Sequence, residues 1–275
     1  MANEGIHILV LHHTARPDCC LRRVLRALVG ATREQKVRVE VVIQGPVGSV
    51  SRLFDGEPSY ELVRIDNHVN LGMGRPIVAS TERFLNSDYR WFMRLDDDIE
   101  LSHGSIDEAI ATFSRENKPK QKLDRVMIAN QRSVPFMLKT KARPNKCPAL
   151  YIEKGHSRRV NMKGSNRPKF FICDYVDTGC TIIDRKAIEN GCVPDMRYFV
   201  GGFSIDFGWN AKKLGYRSML YTADKANHFS RECRTEEHER VRRGTKLVRE
   251  NGRRFMRKWG VEPLTLTQYT RRKPR

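Results

Sequence analysis

The chain has 275 residues, a formal net charge of +19 at pH 7, 39% hydrophobic residues and 30% charged residues. This composition excludes an intrinsically disordered chain and is typical of a globular protein with one large α/β domain or two small ones. No apolar run approaches the roughly 20 residues that a membrane-spanning helix needs. The N-terminus has no basic region before its short apolar run, so we expect no signal peptide.

The cysteines give a first expectation about the redox state of the protein. There are seven, only Cys19 and Cys20 are close together in the sequence, and no CxxC pair occurs. An odd number of cysteines without a CxxC pair argues against a zinc site. The sequence therefore predicts free thiols in a reducing cytoplasm.

The positive charge is concentrated in two segments. Residues 118–169 contain 15 lysines and arginines against two acidic residues, and residues 231–275 contain 15 against six glutamates. The rest of the chain is nearly neutral, with a net charge of −3. A charged run is often only a solvated face, but two such segments favour a polyanionic partner, either nucleic acid or an anionic membrane surface.

The first half of the chain alternates between strand and helix patterns. In chain order, the predicted elements are a strand at 6–13, a helix at 20–32, strands at 37–45 and 61–67, a helix at 74–87 and a strand at 89–95. This alternation with short connections predicts an α/β fold with a doubly wound, mainly parallel sheet flanked by helices. In such sheets, ligands bind at the carboxyl ends of the strands.

The second half begins with the basic segment 118–169, in which only 125–131 has a strand-like pattern. A segment of this length without clear elements is usually functional or disordered. The elements predicted after it are strands at 170–176 and 217–229, a short strand entering a helix at 181–191, and a basic helix at 236–260.

Two helices of this half have predicted packing faces. One starts at Asp206, packs Phe207, Trp209 and Leu214, and ends at Gly215. The basic helix at 236–260 carries an apolar stripe that we expect to pack in the core, formed by Val241, Thr245, Val248, Phe255 and Trp259.

Three consecutive acids, Asp96, Asp97 and Asp98, follow the strand at 89–95. Carboxylate oxygens suit Mg²⁺ or Mn²⁺, which usually keep several waters and also bind substrate phosphates. In an extended segment, Asp96 and Asp98 lie on one face, while Asp97 points the other way and is available for a ribose hydroxyl or a structural bond. From these residues alone, a metal site and a solvated acidic turn are equally open interpretations.

The order of the segments resembles that of a GT-A glycosyltransferase of the family 2 type. The resemblance extends from the first strand to residue 260, and its pieces are NLGMGRP (70–76), RLDDDIEL (94–101), DTGCTIIDRKAIENG (177–191), GGFSIDFGWNAKKLGYR (201–217) and GRRFMRKWG (252–260). It implies a metal-dependent transferase, using Mn²⁺ or Mg²⁺, that moves a sugar from a nucleoside diphosphate, most commonly UDP in this family, to a hydroxyl acceptor.

The resemblance also implies roles for individual residues. Its metal ligands are Asp96, Asp98 and His228. The residues that it places at the nucleotide-sugar are Thr14, Arg16, Gln44, Arg75, Asp96 and Asp97. Gln44 stands where an acid that contacts the base often occurs. His228 could equally be an ordinary loop histidine, and Arg75 a surface arginine at the start of a helix.

The sequence departs from the family pattern at the expected catalytic base. Inverting members usually have two acids, any residue and an aspartate at the helix start, whereas this chain has Phe203, Ser204, Ile205 and Asp206. Asp206 is therefore either the base or only a helix cap, and Asp177 is the alternative base. Both inverting and retaining mechanisms remain open.

The resemblance and the charge distribution together imply a domain organisation, and the charge also suggests an acceptor. We expect a catalytic domain at 1–230, with a nucleotide-sugar-binding half (1–117), a basic insertion (118–169) and an acceptor half (170–230), followed by a basic helix and tail (231–275). The favoured acceptor is a hydroxylated base in DNA, extruded from its stack and held by aromatic residues. Phe136 and Tyr151 are candidates, although core packing is the more common role of such residues.

Two other functions are compatible with the sequence. A peripheral enzyme that glycosylates polysaccharide or lipid, and a catalytically inactive nucleic-acid-binding module, are the alternatives. We expect a cytoplasmic protein without integral membrane association, in the host cytoplasm if a phage encodes it. The sequence does not indicate an oligomeric state.

Overall fold

The computed structural model describes residues 5–45, 53, 58–130, 149–153, 156–159, 170–199, 202–223, 226–229, 232–233, 235–236 and 245–260. The elements of its first half are β1 (Ile6–His13), α1 (Asp18–Ala31), β2 (Val37–Gln44), β3 (Glu61–Asn67), α2 (Gly74–Leu85) and β4 (Trp91–Asp96). All six predicted elements are confirmed, with ends that differ by at most two residues. Apolar runs and helical spacing are local signals, which explains this agreement.

The remaining elements depart further from the predictions. They are β5 (Ile99–Leu101), α3 (Ser105–Glu116), β6 (Leu123–Asn130), β7 (Ala149–Glu153), β8 (His156–Arg159), β9 (Phe170–Cys173), β10 (Tyr175–Val176), β11 (Cys180–Asp184), α4 (Arg185–Glu189), α5 (Phe203–Lys213), β12 (Arg217–Ala223), β13 (Ala226–His228) and α6 (Thr245–Trp259). Helix α3 was not predicted. The strands predicted at 170–176 and 217–229 are each divided into two, because the chain leaves one sheet and enters another.

Helix α5 also differs from its prediction. It begins at Phe203, so Asp206 lies inside its first turn and not at its start. Leu214, predicted to pack, follows the helix and is 38% exposed. Gly215 has a φ of 80°, the left-handed conformation that ends helices, as predicted.

Eight strands form the central sheet in the order β3-β2-β1-β4-β11-β6-β12-β9. The first four are parallel, β6 and β12 are parallel to each other, and β11 and β9 run antiparallel to their neighbours. The predicted mainly parallel sheet is thus confirmed as a mixed, mostly parallel sheet flanked by helices. Parallel strands end at the same edge, so β1 to β4 share one carboxyl edge.

The two faces of the sheet pack against separate cores. On β1, Ile8 and Val10 join the core that includes Leu25 of α1, whereas Leu9 joins the core that includes Phe84 of α2. Side chains alternate along a strand, so apolar residues at consecutive positions indicate a strand covered on both faces. The cover on both sides makes the end of β4 a rigid position for the residues that follow.

A second, two-stranded sheet brings a distant segment to the end of β4. Strand β13 pairs antiparallel with β5, and His228 lies opposite Ile99. The amide of Phe229 donates a hydrogen bond to the carbonyl of Asp98 at 3.0 Å. The chain that follows β12 therefore returns to the three acids.

A disulfide joins Cys20 of α1 to Cys233, 213 residues later in the sequence. The expectation that the thiols are free is therefore wrong for this pair. The physical reason is that the return of β13 to β5 brings the two positions together, with a Cα–Cα distance of 6.1 Å, and no local spacing shows this. Of the other cysteines that the structure describes, Cys19 is exposed and three are buried free thiols, namely Cys173, Cys180 and Cys192.

Among the helices in the described ranges, none has both the length and the apolar character required to cross a bilayer.

Candidate functional site

The three acids occupy the carboxyl edge of the sheet and differ in exposure. Strand β4 ends at Asp96, whose amide donates to the carbonyl of Gly179 at 2.7 Å. The side chain of Asp96 is 33% exposed, that of Asp98 is 9% exposed and that of Asp97 is 2% exposed. Only Asp96 thus has a substantial surface toward solvent.

Asp97 forms structural bonds on the inner side of the turn. Its carboxylate accepts a hydrogen bond from Arg16 and lies 2.7 Å from Nδ1 of His12. His12 is itself fully buried, and its other nitrogen lies 3.6 Å from the carboxylate of Asp18. Of the two roles predicted for Asp97, the structure therefore shows the structural bond.

Asp98 lies between Arg16 and His228. Arg16 donates to its Oδ2 at 2.7 Å, and Nε2 of His228 lies 3.3 Å from its Oδ1. Burial opposes ionisation of Asp98, but His228 and Arg16 outweigh it and lower its pKa. Burial likewise opposes protonation of His228, and Asp98 outweighs it and raises the imidazole pKa.

Asp96 has the opposite electrostatic balance. Although a third of the side chain is exposed, the protein around the carboxylate removes it from enough water to raise its pKa to about 6. Arg94 partly opposes this rise, and the charge of Asp98 adds to it. Arg94 contacts the Asp96 carboxylate, and its Nη1 donates to the hydroxyl of Thr178 at 3.1 Å. Thr178 in turn lies 2.9 Å from the hydroxyl of Ser204 in α5. This chain of contacts connects the end of β4 to the start of α5.

The donor atoms at this edge fit a divalent cation. Oδ1 of Asp98 is buried and accepts no hydrogen bond from the residues that the structure describes, and the imidazole of His228 lies beside it. Carboxylate oxygens and an imidazole are donors that Mn²⁺ accepts. Within the described ranges, no group of three or more histidine, cysteine, aspartate or glutamate side chains is arranged so that it could hold a metal ion. A cation would therefore need further oxygens, which a diphosphate and water supply.

Of the other residues expected at the nucleotide, three lie along the carboxyl edge of β1 and β2, and Arg75 lies at the start of α2. Arg16 contacts the acids, and Thr14 lies at the carboxyl edge, where its amide donates to the carbonyl of Gln44 at 3.0 Å. The side chain of Gln44 is buried and accepts a hydrogen bond from the amide of Leu71 at 2.9 Å, so it holds the loop after β3. Arg75 is exposed and lines a cavity together with Asn70 and Leu71 of that loop.

The two acids expected near the acceptor have different environments. Asp177 is exposed and precedes by two residues Gly179, whose carbonyl accepts the hydrogen bond from the Asp96 amide, so it lies close to the three acids. Asp206 is buried, and it accepts hydrogen bonds from Lys258 at 2.8 Å and from Trp259 at 2.7 Å. Burial raises the Asp206 pKa against these bonds. The contacts of Asp206 attach α6 to α5.

Sequence reasoning did not identify several residues of this site. Arg94 had a usable signal, because a charged residue inside a buried apolar strand requires a partner. Gly179 had none: a Cβ atom there would lie 2.6 Å from Oδ2 of Asp96, a contact between segments far apart in the sequence. Phe136 lies outside the described residues, and Tyr151 belongs to β7.

No known sequence family matches the chain, and none of the curated proteins compared with it is significantly similar. Solved structures do match. The 1–349 fragment of S. aureus TarS in complex with UDP-GlcNAc has a TM-score of 0.55 and 11% identity over 96% of this chain and 70% of that fragment. For a longer TarS chain, the TM-score is 0.50 at 11% identity, and the match covers 97% of this chain but only 42% of that one.

A second match is GalNAc-T7 with UDP, GalNAc and Mn²⁺, with a TM-score of 0.53 and 9% identity over 80% of this chain and 43% of GalNAc-T7. Identities this low show a common fold, and these structural neighbours are GT-A glycosyltransferases. The predicted resemblance in fold is confirmed: the chain has the GT-A fold, and the three acids lie at the carboxyl edge of its sheet.

Proposed function

We propose that the protein is a metal-dependent glycosyltransferase that uses a UDP-sugar and transfers the sugar to a hydroxylated base in DNA. The observation that supports this most strongly is the convergence of Asp96, Asp98 and His228 at the carboxyl edge of a GT-A sheet. The neighbours of known structure were solved with UDP, UDP-GlcNAc or Mn²⁺, which supports this donor and cofactor.

In this proposal, Asp96, Asp98 and His228 hold Mn²⁺ or Mg²⁺ together with the donor diphosphate. The bound cation neutralises the charge that develops on the nucleoside diphosphate leaving group. Arg16 holds Asp98 and Asp97 in place, and Arg94 holds Asp96, so the carboxylates are oriented before the donor arrives. Thr14 and Gln44 shape the edge where the nucleoside would lie.

Asp177 is the better candidate for the general base. A base must reach the proton that it removes, and Asp177 is an exposed carboxylate beside the acids. Asp206 is buried and accepts hydrogen bonds from Lys258 and Trp259, so we assign it to positioning α5 against α6. Asp177→Asn should lower transfer about 100-fold and leave UDP binding unchanged.

The choice of a DNA acceptor depends on charge. The chain has a net charge of +19, and the exposed residues Arg249, Arg253 and Arg257 follow each other at four-residue spacing on α6. Such a stripe suits a phosphate backbone. Electrophoretic mobility shifts at increasing salt test this choice, and binding to anionic vesicles but not to DNA would favour a peripheral polysaccharide or lipid enzyme instead.

Donor binding and cleavage are tested by a thermal-shift titration with UDP, with and without Mn²⁺, combined with an assay of UDP-sugar hydrolysis. We expect a metal-dependent rise in melting temperature, because a ligand that binds only the folded state stabilises it. Asp98→Asn should remove this rise, and Asp88→Asn, the same change at an exposed position, should not. A rise in melting temperature with UDP that is the same with and without Mn²⁺ would contradict the metal-dependent proposal.

The second candidate is a catalytically inactive nucleic-acid-binding module. The observation in its favour is Ser204, which stands where the family pattern has an acid and contacts Thr178 instead. Hydrolysis of the UDP-sugar without acceptor separates the two candidates. An inactive module would bind DNA and release no UDP from the donor.

A further inference from the structure

A cavity of about 360 Å³ opens where the loop after β3 meets α6. Three arginines line it, Arg75 from the start of α2, Arg197 from the loop before α5, and Arg254 from α6. Asn70 and Phe199 contribute a polar and an aromatic wall. We call it the arginine cavity. None of the contacts that hold the three acids involves it.

Two of the three guanidinium groups lack an acidic partner in the part of the chain that the structure describes. Arg254 donates to the carbonyl of Arg197 and to Oδ1 of Asn251, at 3.1 Å in the latter case, and both acceptors are neutral. Arg75 is exposed and makes no polar contact with the residues described. Uncompensated guanidinium groups in one cavity repel each other, and an anion between them removes this repulsion.

The third guanidinium has only a shared partner. Arg197 is paired with Asp195, and Lys258 lies 3.3 Å from the same carboxylate. Lys258 also contacts Asp206. Two carboxylates therefore face Lys258 and the three arginines, and the region keeps an excess of two positive charges.

The cavity lies at the same edge of the sheet as the three acids. Asn70 follows β3, and the next amide, that of Leu71, is held by Gln44 at the end of β2. Strands β3, β2, β1 and β4 are parallel neighbours, so their carboxyl ends, including Asp96, face the same way. A polymeric substrate at the acids can therefore extend toward the cavity.

We propose that the arginine cavity binds a backbone phosphate of the DNA acceptor. The inference rests on the proposed function, because it assigns part of the acceptor to a position beside the proposed transfer site. Guanidinium groups present a planar fork of donors that matches phosphate oxygens, and phosphate contacts position a nucleic acid without reading its sequence. The ring of Phe199 lies where a neighbouring sugar or base would pack.

Fluorescence anisotropy with a labelled single-stranded DNA oligonucleotide, in the presence of saturating UDP and Mn²⁺, tests the proposal. Arg75→Gln and Arg254→Gln should each weaken binding about tenfold and lower the slope of log affinity against log salt by about 0.7, the value for one phosphate contact on a single strand. Arg33→Gln removes the same charge from an exposed position between α1 and β2, at the opposite edge, and should change the affinity less than twofold.

Three outcomes would overturn the assignment. In the first, both cavity variants bind DNA as tightly as Arg33→Gln does. In the second, UDP displaces DNA from the unaltered protein, which would make the cavity part of the donor site. In the third, anionic vesicles bind in place of DNA with the same dependence on the arginines. Arg75→Gln keeps the test valid if Arg254→Gln loosens α6, because Arg75 makes no described contact. Should UDP fail to bind at all, the proposed function fails, and the same titration without UDP still decides the cavity.

Discussion

Gly179→Ala should disable the site by displacing a single carboxylate. A Cβ atom at this position would lie 2.6 Å from Oδ2 of Asp96, and ordinary contact begins at about 3.4 Å. The carboxylate must therefore shift by about 0.8 Å, and its contact with Arg94 must change with it. A misplacement of this size in a reacting group lowers turnover by about 100-fold. The Gly179 backbone is not among the left-handed glycines, so alanine adds no backbone strain.

The assay is Mn²⁺-dependent hydrolysis of a UDP-sugar, measured alongside the melting temperature. Gly30→Ala is the matched control, because its added Cβ would meet only the exposed side chain of His103, at 3.0 Å. We expect the control to keep its turnover and Gly179→Ala to lose it at a similar melting temperature. Full turnover in Gly179→Ala would refute the assignment of Asp96 to the donor site.

Three further predictions concern the contacts that hold the fold together. Replacing Cys20 and Cys233 by serine should lower the free energy of unfolding by about 2–5 kcal/mol, because the bond closes a loop of 213 residues, and a reductant should abolish this difference in urea titrations. The pKa of Glu40 is lowered from 4.5 to about 2, because its contact with Arg83 outweighs burial. The destabilisation caused by Glu40→Gln should therefore have its full size above pH 4.5 and shrink as the pH falls toward 2, and a destabilisation independent of pH would contradict the pairing. Asp206→Asn should lower the melting temperature and reduce transfer less than tenfold, whereas lost transfer at an unchanged melting temperature would identify Asp206 as the base.

The first four strands of the sheet could be predicted from the sequence because their signals are local. Apolar runs and, in β2, alternation of apolar residues located β1 to β4 within two residues, and the sequence placed the three acids at the end of β4. Helix α3 shows where this reasoning failed, since its pattern lies between Asp98 and the basic segment and received no prediction. The division of 217–229 into β12 and β13 depends on which sheet accepts each piece, a choice made by distant strands.

The candidate site likewise contains residues that the sequence suggested and contacts that it could not show. Residue type and position at a strand end made Asp96 and Asp98 candidate metal ligands, because hard cations bind carboxylate oxygens, and the resemblance added His228. Asp206 matched a motif, but a motif contains no information about the helix that covers it, and Lys258 and Trp259 lie more than fifty residues away in the sequence.

The sequence by itself determined the class of fold, the position of the acid triplet and the excess of positive charge, because each depends on neighbouring residues or on composition. Tertiary structure decided the rest: the Cys20–Cys233 disulfide, the contact of Arg94 with Asp96, and the convergence of three arginines from three separate segments of the chain. Burial, pairing and repulsion depend on distances between side chains, and the folded chain sets those distances among residues that sequence spacing leaves far apart.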